Sequence, residues 1–161
     1  MPDPLIVSGA HQLQEARRFA LGGYRRVVRH LTRDFAAGAL RRGKEIEQFL
    51  EAFEEDGRRG LKHAAIWDNR SGCFVVRLWI VEENPGPTFL PIDEFLAFYD
   101  VDDEQEGGRH VGTADSPGGA IELAAQKLGA HPERWVNQGV LFDEYYDYVK
   151  QGRPLGRWSH E

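Results

Sequence analysis

The chain contains a single cysteine, Cys73, and that scarcity excludes several chemistries at once. One thiol builds no disulfide framework, no CxxC pair and no thiolate-rich metal centre, and it points to a reducing compartment. Lysine is scarce as well, with four residues against sixteen arginines, the bias of a GC-rich bacterial genome. Long hydrophobic runs are missing: the longest, Cys73 to Val81, is broken by Arg77 and falls far short of the roughly 20 residues that cross a bilayer. The opening Met-Pro-Asp-Pro has no basic stretch followed by an apolar one, so no signal peptide is read there and a cytoplasmic protein is expected.

Catalytic signatures are missing too. There is no GxGxxG, no GxxxxGK[ST], no HExxH and no GxSxG elbow. The six histidines, His11, His30, His63, His110, His131 and His160, are scattered, with no pair three or four residues apart, so no metal site and no cofactor are expected. Asp102 to Gly107 resembles the front half of a calcium loop, but Thr113 stands where the bidentate Glu belongs, and a solvated acidic loop is the simpler reading. Ser116-Pro117-Gly118-Gly119 offers unhindered N–H groups at a helix start, yet Asp115 would repel an anion and N-capping alone accounts for the motif.

What is present suits one globular domain spanning 1–161. Its 41% apolar and 29% charged residues fit a packed core, and no linker or repeat divides it. A basic helical segment at about 11–36 and a short tail at 153–161 flank the rest. The expected fold is α+β, a small antiparallel sheet of three to four strands packed with about five helices.

Apolar residues every three or four positions predict a helix from Leu13 to Phe35, and Ile46, Phe49, Leu50 and Phe53 predict a second from Lys44 to Asp56, closed by Gly57. Ala64–Trp67 and Cys73–Val81 read as a hairpin around Asp68–Gly72. In the second strand Phe74, Val76, Leu78 and Ile80 share a buried face, and the strand is expected to be the centre of the sheet. Arg77 among Val75, Trp79 and Val81 is expected to be held by a carboxylate at the core's margin. Thr88–Leu90 predicts a third strand and Pro91–Tyr99 a helix, with Phe95–Val101 as an alternative strand. His110–Thr113 predicts another strand, Ser116 to Gly129 a capped helix, Pro132–Val136 a turn, and Val140–Gln151 the last helix.

Two charged surfaces carry the functional expectation. The net charge of −6 hides an excess of three positive charges over residues 1–62 and of nine negative charges over 63–161. Arg17, Arg18, Arg25, Arg26, Arg29 and Arg33 project opposite the apolar stripe of the first helix, a face able to contact an anion or nucleic acid, or to pair with this chain's own acidic half. In the last helix Asp143, Glu144 and Asp147 interleave with Tyr145, Tyr146 and Tyr148, a composition suited to a basic protein partner. The leading expectation is a small binding or regulatory protein acting through another protein, such as a toxin-neutralising or accessory component, or through a second copy of itself. The alternatives are a nucleic-acid-binding protein using the arginine face, and an enzyme whose site is assembled from dispersed histidines and carboxylates. No membrane partner is expected.

Overall fold

Asp56 and Gly57 decide the architecture. A computed structural model describes residues 28–83, 92–99 and 108–159. In it the two residues take φ values of 52° and 73° and form a two-residue turn between strands β1 (Ile46–Glu55) and β2 (Arg58–Asp68). Positive φ at both central positions gives a turn whose twist matches that of a hairpin, and Asp-Gly is among the pairs that adopt it most readily. The helix expected over Lys44–Asp56 is therefore a strand, and Gly57 closes a hairpin rather than a helix.

The apolar spacing that suggested a helix has another cause. Both faces of the sheet are covered, so β1 has no reason to alternate strictly. Adjacent Phe49 and Leu50 enter opposite cores, as strand alternation requires, but a register shift between Phe49 and Glu51 interrupts the pairing with β2 and Ala52 joins Phe49 at a spacing of three. Val at position 57 would strain a backbone that glycine adopts freely. Gly57→Val is expected to lower stability by about 1–2 kcal/mol, with Asp56→Gly nearly neutral; urea unfolding of the two variants measures both.

Strand β3 (Phe74–Glu82) returns along β2 through a turn in which Asp68 and Asn69 side chains accept backbone N–H groups. Strand β4 (Arg109–Ala114), β5 (Val136–Asn137) and β6 (Gly156–Arg157) complete an antiparallel six-stranded sheet, ordered β4-β3-β2-β1-β5 with β6 also on β1. The middle strand is thus β2, and β3 lies one place from the centre. On β3, Val76 is fully buried and Phe74 nearly so, but Leu78 and Ile80 are half-buried. The expected turn at Pro132–Val136 ends instead in β5, with Trp135 bridged to Leu31.

Three α-helices are found among the described residues instead of about five: α1 (Arg33–Arg41), α2 (Pro117–Leu128) and α3 (Leu141–Lys150). Helix α1 begins at its N-cap Thr32, so residues 28–32 do not belong to the long helix expected from Leu13 to Phe35; the rest of that segment lies outside the described residues. Helix α2 starts as expected, with Ser116 Oγ accepting from Gly119 N at 3.0 Å, and ends at Gly129 in the left-handed region. The expected helix at 91–99 shrinks to one 3₁₀ turn at Ile92–Glu94. The chain then runs along the edge of β3, Glu82 N donating to Leu96 O and Phe98 N to Ile80 O. Thr88–Leu90 and the acidic loop at 102–107 lie outside the described residues.

The sheet separates two cores. On one face α1 and α2 bury Ile46, Leu50, Ala64, Ile66 and Val76, with Trp135. On the other, α3 and the 3₁₀ turn cover Phe49, Ala52, Leu61 and Val81, with Tyr145, Tyr148 and Trp158. No helix among the described residues is long and apolar enough to cross a membrane.

Candidate functional site

Helix α3 faces inward more than its composition suggested. Leu141, Glu144, Tyr145 and Tyr148 are buried at i, i+3, i+4 and i+7, a single core-facing stripe. Tyr145 is 2% exposed and Tyr148 0%, each packed on Phe49, so neither offers its ring to a partner. Glu144 is buried with them, its Oε1 3.1 Å from His30 Nε2. Of the six residues expected to bind a partner, Asp143, Tyr146 and Asp147 remain half-buried at the surface. The interleaved acids and tyrosines thus divide between core and surface instead of forming one face.

The arginine face is also not assembled where it can be seen. Arg17, Arg18, Arg25 and Arg26 lie outside the described residues. Arg29 is exposed on non-helical chain, and Arg33 opens α1 with its guanidinium 3.8 Å from Glu122, both side chains about half exposed. Such a pair adds little to stability.

A buried carboxylate that the sequence reading did not single out organises the end of α3. The side chain of Glu83 is 0% exposed; Arg153 Nε approaches its Oε1 at 2.5 Å and Arg59 Nε its Oε2 at 3.6 Å. Tyr145 donates its hydroxyl to Oε1 at 3.2 Å, and Arg59 Nη2 donates to Tyr148 Oη at 2.9 Å and to Arg153 O at 2.8 Å. Burial, and then the charge of Glu83, raise both phenols, Tyr148 to about 12. Arg153 holds a positive φ of 54°, a conformation that costs a non-glycine residue energy and persists when surrounding contacts demand it. The one buried carboxylate of this network is shared by two guanidinium groups, both partly exposed. Its work is to fasten the chain after α3 to β2 and β3.

The remaining feature is open. On the α3 face of the sheet a cavity of about 490 Å³ is lined by His63 and Trp79, by Phe95 and Tyr99, and by Glu45 and Glu47 at the start of β1. The register explains the convergence: Phe49, His63 and Trp79 stand opposite one another on three strands, with Glu47, Ala65 and Arg77 in the next row. Ala65 is small, and the space above it is the floor of the cavity.

His63 is 7% exposed and stacks flat beside Trp79, ring centroids 5.3 Å apart and planes within 1°. Its Nε2 is buried without a hydrogen-bond partner, an uncommon state for a buried polar atom. Burial pushes its pKa down to about 4, so the imidazole is neutral at physiological pH. Burial also raises the Glu45 carboxyl. Glu45 Oε2 accepts only a long 3.4 Å bond from Gln138, and Glu45 makes no ion pair among the described residues. Glu47 Oε2 accepts from Gly139 N at 3.1 Å.

The rim is apolar. Leu96 is 81% exposed and Tyr99 38%, the Tyr99 hydroxyl donating to Glu55 Oε2 at 2.6 Å and the Arg109 guanidinium lying 5.4 Å from its ring centre. Phe35 and Leu155 are exposed elsewhere, outside the lining of this cavity. Gly108 completes the wall: at φ 85°, a Cβ there would meet the Trp79 ring at 2.7 Å. Its carbonyl accepts from Arg77 Nη1 at 2.9 Å, and that guanidinium stands 5.7 Å from the Trp67 ring centre. A carbonyl and an indole face are thus among the groups that hold Arg77.

Reading Lys44–Asp56 as a helix hid this site, because only a strand brings Glu45 and Glu47 beside His63. One signal was available: His63 is the sole histidine within the apolar run Leu61 to Trp67, and Ala65 follows it on the same face. Among the described residues no group of three or more His, Cys, Asp or Glu is placed to hold a metal ion. Comparison of the chain with protein-family models, with curated proteins and with solved structures finds no match.

Proposed function

We propose that this chain is a small cytoplasmic binding or regulatory protein that acts through a basic protein partner, engaged at the rim formed by Leu96 and Tyr99. The observation that carries this reading is the 81% exposure of Leu96 next to a recess holding Glu45 and Glu47. A large aliphatic side chain in water beside an acidic, aromatic-walled hollow is the arrangement of an interface anchor, and complementary potential speeds the approach of a basic surface. The single thiol, Cys73, supports a reducing compartment. The expected acidic and aromatic surface is thereby relocated from α3 to the opening over β1, β2 and β3.

Affinity capture from the source cell, repeated with Leu96→Asp, tests the reading. Leu96 contributes almost no buried area, so the substitution leaves the fold intact. The expected result is a basic protein retained by the parent chain and bound at least tenfold more weakly by the variant in a purified two-component titration. Equal affinity for parent and variant refutes this docking surface. Retention of duplex DNA in place of a protein, with a steep dependence on salt, would return the arginine-rich segment to first place.

A further inference from the structure

We infer that the outer edge of β4 is a self-association surface, on which a second copy of this chain lays its own β4 antiparallel about a two-fold axis at Gly112. This goes beyond the docking reading above and does not depend on it. Three observations carry it.

The first is the open main chain. Strand β4 is the last on its side of the sheet and pairs with β3 alone among the described residues. None of its residues is buried: His110 and Thr113 are exposed and the others half-buried, Gly112 among them. Exposure of a glycine is exposure of main chain, so the N–H and C=O groups that point away from β3 can bond a further strand. Proline and lysine, which commonly blunt such an edge, are absent from β4, and a one-residue bulge at Val111 is its single interruption.

The second is charge. Arg109 opens β4 and Asp115 follows its last residue. Neither makes an ion pair among the described residues, and Arg109 stands only over the Tyr99 ring. Antiparallel pairing about Gly112 sets position 109 of each copy opposite position 115 of the other, and opposite charges facing across two strands attract. The neighbouring registers set Arg109 opposite Thr113, Ala114, Ser116 or Pro117, none of them charged. A foreign strand would need this pattern in complement, whereas the chain's own strand, turned about a two-fold axis, already has it. The third observation is apolar. Val111 and Leu123 are half-buried at the margin of the core under α1 and α2, and a Cβ at position 112 would meet Leu123 Cδ2 at 2.8 Å. An axis through Gly112, perpendicular to the joined sheet, sets the two α2 helices on one face with Leu123 beside its counterpart, and so removes from water the apolar surface that each copy leaves open.

Sedimentation equilibrium of the full chain over a range of concentrations reads the assembly. The expected result is a dimer for the parent and at least tenfold weaker self-association for Arg109→Asp and for Asp115→Arg, each of which sets like charges opposite one another. Mixing the two variants should restore the dimer, since both contacts between them are then of opposite sign. A monomeric parent at every concentration, a dimer that neither reversal weakens, or weakening without recovery on mixing overturns the inference. If Arg109→Asp fails to fold, Asp115→Arg, at an exposed position, decides alone. A monomeric parent that retains a basic protein through Leu96 removes the dimer and leaves the docking reading. A dimer with the charge behaviour above, and equal partner affinity in Leu96→Asp, leaves the dimer and removes the docking surface.

Discussion

Glu83→Ala is expected to destabilise the protein by about 3–5 kcal/mol, the loss typical of a buried ion pair stripped of one partner. The carboxylate is fully buried and shared by Arg59 and Arg153, whose side chains are 25% and 33% exposed. Removing it leaves two guanidinium groups close together, partly desolvated, with no anion between them. Tyr145 loses its acceptor at the same time, and an unsatisfied buried hydroxyl adds to the cost. Arg153 then has no reason to stay in the left-handed region, so the chain after α3 is expected to detach from β2 before the sheet itself unfolds. Urea unfolding of the variant measures the total. Limited proteolysis after Lys150 locates the first opening. Restoring an apolar set with Glu83→Leu, Arg59→Leu and Arg153→Leu together should recover part of the loss, since the network's worth lies in being complete rather than in being charged. A loss under about 1 kcal/mol for Glu83→Ala would show that water reaches the arginines and that the network is peripheral.

The sequence was legible where one signal stood alone and misleading where two physical causes write the same pattern. Ser116-Pro117 and Gly129 mark α2 because capping and left-handed termination are local, and local chemistry survives any tertiary context. The β2–β3 hairpin was legible for the same reason, its Asp68 and Asn69 side chains closing the turn on their own backbone. Ile46, Phe49, Leu50 and Phe53 mislead because a strand covered on both faces and interrupted by a register shift has apolar residues at the spacing of a helix. The tie-breaker lay three residues after Phe53, in Asp56-Gly57, whose turn preference is stronger evidence than the apolar spacing. In α3, composition could not say which tyrosines turn inward; that depends on Glu83 and Arg59, which stand 62 and 89 residues from the rings they hold. The cavity was illegible for a related reason: His63, Glu45 and Trp79 come from three strands, and only the register shows that Ala65 leaves room between them.

The imidazole at the floor of that cavity sets a stability profile of its own. In the unfolded chain His63 titrates near 6.5, and in the folded protein burial holds it down to about 4. Above pH 6.5 both forms are neutral and the residue contributes nothing to pH dependence. Between 6.5 and 4 the unfolded chain takes up a proton that the folded chain refuses, so stability falls as pH falls. Below about 4 both are protonated and the loss levels off. The shift corresponds to about 3 kcal/mol across the window. Stacking on Trp79 works the other way, since an imidazolium on an indole face gains attraction, but at about 0.5–2 kcal/mol this is smaller than the desolvation cost it opposes. The sign therefore stands. The carboxylates and the other histidines titrate over part of the same range, which makes the comparison between two chains more informative than either curve. His63→Leu removes this contribution and retains the volume of the site, so the parent should lose more stability than the variant between pH 7 and 4.5, by about 2 kcal/mol. Denaturant unfolding of both proteins at half-unit steps measures it. Parallel curves would mean that His63 keeps its ordinary pKa in the folded protein and that the cavity's floor is reached by water.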